Sequence, residues 1–275
     1  MPKNNKRGNL FFYKQGAIVL YAVFSAWWLF LTLFVEEGSP SRDWFVDSYG
    51  VVAMLGGIIG LKITQKWVGF KSLVGKALSC FSLGLLGQFL GQVSYTLLFY
   101  IYGIENAYPS FGEFFFLSSI PLYIAGVVFL CKSIGSEISL KNIKKKLIAI
   151  VIPLLMLGTS YFLFLQGYKI EDGITPTVLL DFTYPIGQAA FVSAAFLALY
   201  LSEKTLGGVM KKPIIFILFS LIFQYFADTL FLYTVINDIW VTTNISDLLF
   251  ITSYFLMTIA LVSFDTAFNK IWAKK

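Results

Sequence analysis

The sequence predicts an all-α, polytopic membrane protein: eight transmembrane helices arranged as four tandem hairpins, in two repeated four-helix halves. Three observations carry that prediction. The 275 residues are 57% hydrophobic and only 13% charged, with a mean hydropathy of +0.76, whereas an ordinary soluble domain carries roughly 25% charge. The apolar residues gather into runs of about 20, the length at which a helix crosses about 30 Å of hydrocarbon. On that reading every lysine and arginine except Arg42 and Lys169 falls on one side of the membrane.

Taken in order, a basic start (Lys3, Lys6, Arg7, Lys14) precedes the first run, 16–35. That run lacks a small-x-small cleavage site, so it reads as an uncleaved helix rather than a signal peptide. Runs at 44–64, 75–102, 111–133, 147–167, 177–201, 213–236 and 246–267 supply seven more helices. An even number puts both termini on one side, and the positive-inside rule makes that side cytoplasmic. Basic clusters at Lys62–Lys76, Lys132–Lys146, Lys204–Lys212 and Lys270–Lys275 join the N-terminal one there. They therefore account for the net charge of +6 as membrane orientation, not nucleic-acid binding. The expectation is a multi-pass protein of the cell membrane, in contact with lipid, forming a single transmembrane domain over 1–275.

Composition also removes chemistry. The chain has no histidine, which excludes His-ligated zinc, His-ligated haem and the Ser-His and Cys-His nucleophile pairs. The last run contains no lysine to carry a retinal Schiff base, and a second deep aspartate for intramembrane aspartyl chemistry is missing. No enzyme constellation, cofactor motif or metal site stands out. Cys80 and Cys131 lie in apolar stretches and read as two buried thiols.

Aligning the even-numbered runs by their first acid gives Asp47, Glu113, Asp181 and Asp247, at separations of 66, 68 and 66 residues. Gln88-x-x-x-Gln92 with Glu113-x-x-Phe116-x-x-Ser119 recurs as Gln224-x-x-x-Asp228 with Asp247-x-x-Phe250-x-x-Ser253. A duplicated half, approximately 1–140 and 147–275, joined at the Lys-rich segment 141–146, is the simplest account. Even-numbered halves keep one orientation, about an axis along the membrane normal. The four acids have two readings: carboxylates capping helix starts, as Ser110-x-x-Glu113 and Asn244-x-x-Asp247 fit, or a ring at the outer mouth that attracts a cation or amine. Gly56-x-x-x-Gly60 and Gly87-x-x-x-Gly91 predict close helix approach.

Counting about 1.5 Å per residue from the outer ends places Gln92, Gln188 and Asp228 near the midplane, with Gln88 and Gln224 one turn deeper. Tyr95, Tyr184 and Tyr225 are candidates to line the same cavity. A carboxylate at that depth costs at least about 2.5 to 3.5 kcal/mol, so Asp228 is expected to face the bundle interior.

Three segments resemble the multi-helix membrane modules found at the N-termini of bacterial signalling proteins, ahead of diguanylate cyclase or histidine kinase domains. Pro109-Ser110-x-x-Glu113-x-x-Phe116-Leu117 is similar to a Pro-Ser-x-x-Asp-x-x-Tyr-Leu motif, Asp181-x-x-Tyr184-Pro185 to Asp-x-x-Tyr-Pro, and Ala227-Asp228-x-x-Phe231 to Ala-Asp-x-x-Phe. The departures are Glu113 in place of Asp, and Gln92 and Gln188 where deep acids are expected. The resemblance implies a sensory or ligand-binding module for a small or lipidic ligand. The given chain ends at Lys275 with no output domain, so a signal is expected to pass to a separate partner. Two alternatives stand beside it: a small proton- or cation-coupled transporter, and a structural subunit whose polar layer only specifies packing.

Overall fold

The computed structural model describes residues 5–104, 108–133, 143–166, 168, 173–202 and 209–272. Lys3, Lys141, Lys169, Lys204, Lys274 and Lys275, which enter the orientation argument, lie outside the described residues. Among the described residues the chain is all-helical, with no strand. The helices are α1 (Asn5–Phe34), α2 (Pro40–Ser48), α3 (Val51–Lys66), α4 (Leu73–Tyr102), α5 (Gly112–Ser133), α6 (Ile143–Ser160), α7 (Pro176–Ser202), α8 (Lys211–Ile236) and α9 (Ile245–Trp272).

Among the described residues seven segments are long and apolar enough to cross a membrane, α2 and α3 counting together as Pro40–Lys66. The expected fifth span is the exception. Among the described residues its apolar stretch is Ala149–Leu163, and α6 runs on through one π turn at Tyr161–Leu165. The expected second span is broken, because Pro40 starts α2 at a position where its missing N–H costs nothing and the chain turns at Tyr49–Gly50 before α3 begins. At the turn into α4, Ser72 accepts the Gly75 N–H at 2.9 Å, an ordinary N-cap. Gly103, at φ 66, ends the helix: its N–H reaches the Phe99 carbonyl at 3.0 Å and the Ile104 N–H reaches Leu98 at 3.3 Å, an αL cap that needs a left-handed residue.

Helix α4 packs on α5 and α8 on α9. Helix α3 touches both α4 and α9, and α7 touches both α5 and α8, while α1 lies against α9 and α6 against α7. The core runs through Phe81, Leu85, Tyr123, Phe191, Ile251, Tyr254 and Met257, all nearly inaccessible. Lipid tails are as apolar as these side chains, so close packing rather than water exclusion holds the helices. Small residues permit it: an added Cβ on Gly56 would lie 2.1 Å from Thr258 Oγ1 on α9, and one on Gly60 would lie 2.1 Å from Ser82 Oγ on α4. Gly87 faces the Phe115 carbonyl and Gly91 the Phe116 ring on α5. Both predicted glycine pairs therefore sit at helix contacts. Cys80 and Cys131 are both buried.

Charged side chains tie the helices together at both ends of the bundle. At one, Lys66 pairs with Asp265 at 2.6 Å and Lys62 lies over the Tyr13 ring, tying α3 to α9 and α1. At the other, Arg42 is 6% exposed and donates to the Val35 carbonyl at 2.7 Å, Leu31 at 3.3 Å and Thr242 at 3.4 Å. Leu31 belongs to the last turn of α1, and its carbonyl also accepts the Val35 N–H at 3.1 Å. A residue that sequence reading used only as an outer-loop cation thus clamps α1 to the α8–α9 loop. Arg42→Leu is expected to lower stability by about 2 kcal/mol, because it strips donors from buried carbonyls. Arg42→Lys should recover only part of that, since a single ammonium cannot span three acceptors. Unfolding midpoints in detergent read both, and an unchanged midpoint for Arg42→Leu would remove the clamp.

Candidate functional site

The polar layer is built from one node. Asp228, on α8, accepts two amide donors at the same oxygen: Gln188 Nε2 from α7 at 2.7 Å, and Gln224 Nε2 from one turn earlier on α8 at 3.0 Å. The Gln224 carbonyl in turn accepts the Ser253 hydroxyl from α9 at 3.1 Å. A parallel link crosses the other side of the bundle, where Gln88 on α4 donates to Ser119 Oγ on α5 at 2.8 Å and accepts from the Tyr254 hydroxyl at 3.1 Å. Gln92, one turn outward, donates to the Val46 carbonyl at 2.8 Å. That carbonyl is near the end of α2, where the break before α3 leaves acceptors without helical partners. Each deep amide is thus satisfied, as buried polar groups must be.

Above this layer lies a cavity of about 740 Å³, within the usual range of small-molecule sites. It lies toward the Arg42 end of the bundle, where Gly38, Ile104, Asp238 and Trp240 line it. Gln92, Tyr95, Tyr184 and Asp228 line it, together with Asp43, Asp47, Glu113 and Asp247. Glu113 is nearly inaccessible and accepts both the Tyr95 and Tyr184 hydroxyls. Asp47 accepts the Thr96 hydroxyl at 2.8 Å. Asp247 is 3% exposed and sits against the Tyr49 hydroxyl and the backbone of Thr243 and Asn244, yet its Oδ2 has no hydrogen-bond partner.

Seven predicted residues therefore meet in one cavity, Gln92, Tyr95, Tyr184 and Asp228 with the acids Asp47, Glu113 and Asp247, and the others do not line it. Gln188, Gln224 and Gln88 stand behind the wall and position the lining groups. Tyr225 faces the other way: its hydroxyl donates to the Met156 carbonyl on α6 at 2.7 Å, so it anchors α6 instead of lining the cavity. The four aligned acids also divide. Asp181 is buried under the Tyr108 and Tyr168 hydroxyls, at 2.5 and 2.6 Å, and lines a separate cavity of about 600 Å³ with Asn237 and Gln166. Burial first, then the Asp181 carboxylate, pushes the Tyr168 hydroxyl up to about 12 and raises that of Tyr108 as well, since both disfavour a second negative charge.

Capping explains only part of the acid pattern. Glu113 and Asp247 lie in the first turns of α5 and α9, but Asp47 is near the end of α2, whose first-turn acid is Asp43, and Asp181 lies beyond the first turn of α7. At the starts of α5, α7 and α9 the side chains that accept helix N–H groups are Ser110, to Gly112 at 3.0 Å, Thr175, to Val178 at 3.3 Å, and Asn244, to Ser246 at 2.8 Å. Sequence reasoning missed Tyr49, Asp43, Asp238 and Tyr254 as lining residues. Tyr49 had a signal, since an aromatic follows Asp47 closely just as Tyr184 follows Asp181.

No protein-family model, curated protein or solved structure matches the chain.

Proposed function

We propose that this chain is a multi-pass protein of the cell membrane with both termini cytoplasmic, whose outward-opening cavity binds a small or lipidic ligand and which signals through a separate partner. The observation that supports it best is the Asp228 node. A carboxylate is costly at that depth, and here it is held by two glutamines on the edge of a cavity of about 740 Å³. The same reading takes the chain as two repeated four-helix halves. Gln88 with Ser119 and Gln224 with Ser253 are corresponding positions 134 to 136 residues apart, and each pair is hydrogen-bonded between its third and fourth spans. The α3–α9 and α5–α7 contacts correspond in the same way.

The test is native mass spectrometry of the gently extracted protein beside Asp228→Asn. A retained non-protein mass in the wild type that the variant loses supports the ligand site; a mass retained equally by both, or none in either, counts against it. A proton- or cation-coupled carrier is the second reading, favoured by one deep carboxylate between two half-bundles. Solute uptake into liposomes that collapses with the proton gradient selects the carrier, and occupancy without flux selects the sensor.

A further inference from the structure

The cavity has an unbalanced charge. Six carboxylates line it, from Asp43, Asp47, Glu113, Asp228, Asp238 and Asp247, and no lysine or arginine is among the described lining residues. Arg42, nearby in sequence, is turned onto backbone carbonyls. Carboxylates collected in a partly desolvated space repel one another and lose hydration, so a positive charge placed among them is bound strongly.

An acidic wall alone does not define a ligand, but the carboxylates differ in how they are satisfied. Glu113 is covered by two tyrosine hydroxyls, and Asp228 by two amides. Asp47 and Asp247 each line the cavity and keep one oxygen with no donor, and of the two it is Asp247 that is buried, at 3% exposed. A buried carboxylate oxygen without a donor is a marked exception among native structures. What surrounds it is aromatic. Tyr49 stacks with Phe250 and Tyr254 at ring-centroid distances of 6.5 Å in both cases, and Phe250 stacks with Tyr254 at 6.2 Å. All three rings line the same cavity, and Tyr49 and Tyr254 lie within electrostatic range of both Asp247 and Asp228.

Resting on the ligand-site reading above, we infer that the cavity takes an organic ammonium ion, its cationic head at the free oxygen of Asp247 against the Tyr49, Phe250 and Tyr254 rings. Each part of the site has a reason in that ligand. The carboxylate supplies an ion-paired acceptor for an N–H or a close counter-charge for a quaternary nitrogen, and aromatic rings attract weakly hydrated cations. A hard metal ion wants six or more oxygens converging at about 2 to 2.6 Å. Among the described residues no group of three or more acidic or thiol side chains converges in that way. Asp228, on the inner wall, offers a second anion for a diamine or polyamine. Asp43, Asp47 and Asp238 lie toward the mouth, where they raise the local concentration of cations.

The test is thermal unfolding of the full chain in nanodiscs, titrated with tetramethylammonium and with spermidine, and with sodium, calcium and benzoate as comparisons. A saturable rise in midpoint with either ammonium ion, with benzoate inert, is the expected result. Asp247→Asn keeps the shape and should weaken the ammonium affinity about tenfold or more. Should that variant fold poorly, Tyr49→Leu carries the same test, through the loss of ring attraction. Stabilisation by calcium or sodium but not by ammonium ions overturns the inference in favour of an inorganic site. An anionic or neutral mass retained in native mass spectrometry, with no ammonium effect, overturns it while leaving the ligand-site reading intact. Neither a retained mass nor any ammonium effect sinks both.

Discussion

Replacing Gly60 by leucine is expected to cost about 3 kcal/mol or more and to leave little monodisperse protein after extraction. The first atom of the new side chain already lies 2.1 Å from Ser82 Oγ and 2.7 Å from a methyl of Leu261. Neither neighbour can yield cheaply. Ser82 is buried and its hydroxyl is tied to the Leu78 carbonyl at 2.7 Å, and Leu261 is fully buried on α9. The backbone of α3 would have to withdraw from α4 and α9 together. Because tail lipids replace lost helix contacts only with equally apolar ones, no hydrophobic gain offsets the separation. Gly16→Ala is the control: nothing lies within 4 Å of the added carbon, and alanine suits a helix better by up to about 1 kcal/mol. Unfolding midpoints of the two variants should therefore move in opposite directions. Equal tolerance at both sites would mean that α3 does not approach α4 and α9 so closely.

How much of this was legible depends on whether a feature is written locally or across the bundle. Seven of the eight expected spans were, because hydrocarbon thickness imposes one length and hydropathy reports it directly; α4, expected at 75–102, is Leu73–Tyr102. The glycine contacts were, since spacing of four puts both residues on one helix face. The deep residues were legible as a layer but not as a network. Nothing along the chain says that Gln188 on α7 and Gln224 on α8 meet at one oxygen of Asp228, or that Tyr225, next to Gln224, turns to α6. Helical neighbours point about 100° apart, so adjacent polar residues cannot share a cavity by adjacency alone. Asp47 misled for a different reason. Its register with the other acids holds, but the helix break at Tyr49–Gly50 places it at a helix end, and sequence periodicity does not carry such a break.

Asp228→Leu is the second substitution expected to have a large effect, about 3 kcal/mol of stability, and its size rests on the shared acceptor. Both amides reach Oδ2 and not one oxygen each, so removing the carboxylate leaves two buried N–H donors without an acceptor at once, each worth about 1 to 3 kcal/mol. The same geometry makes Asp228→Asn mild. Its single carbonyl oxygen can occupy the Oδ2 position and accept both amides, while the new NH2 group takes the place of Oδ1, the oxygen left for the cavity. Stability should then change by about 1 kcal/mol or less, although the charge is gone. If each glutamine instead bonded its own oxygen, Asn would set an amide donor against one of them and behave nearly as badly as Leu. Denaturant midpoints of the two variants therefore read the node's wiring. A small loss for Asn beside a large one for Leu also makes Asp228→Asn a clean instrument for the ligand experiment, because any lost binding then follows from charge and not from a collapsed cavity. A further check is Gln188→Leu combined with Asp228→Leu: removing donor and acceptor together should cost less than the sum of the two single changes, by about 1 kcal/mol or more.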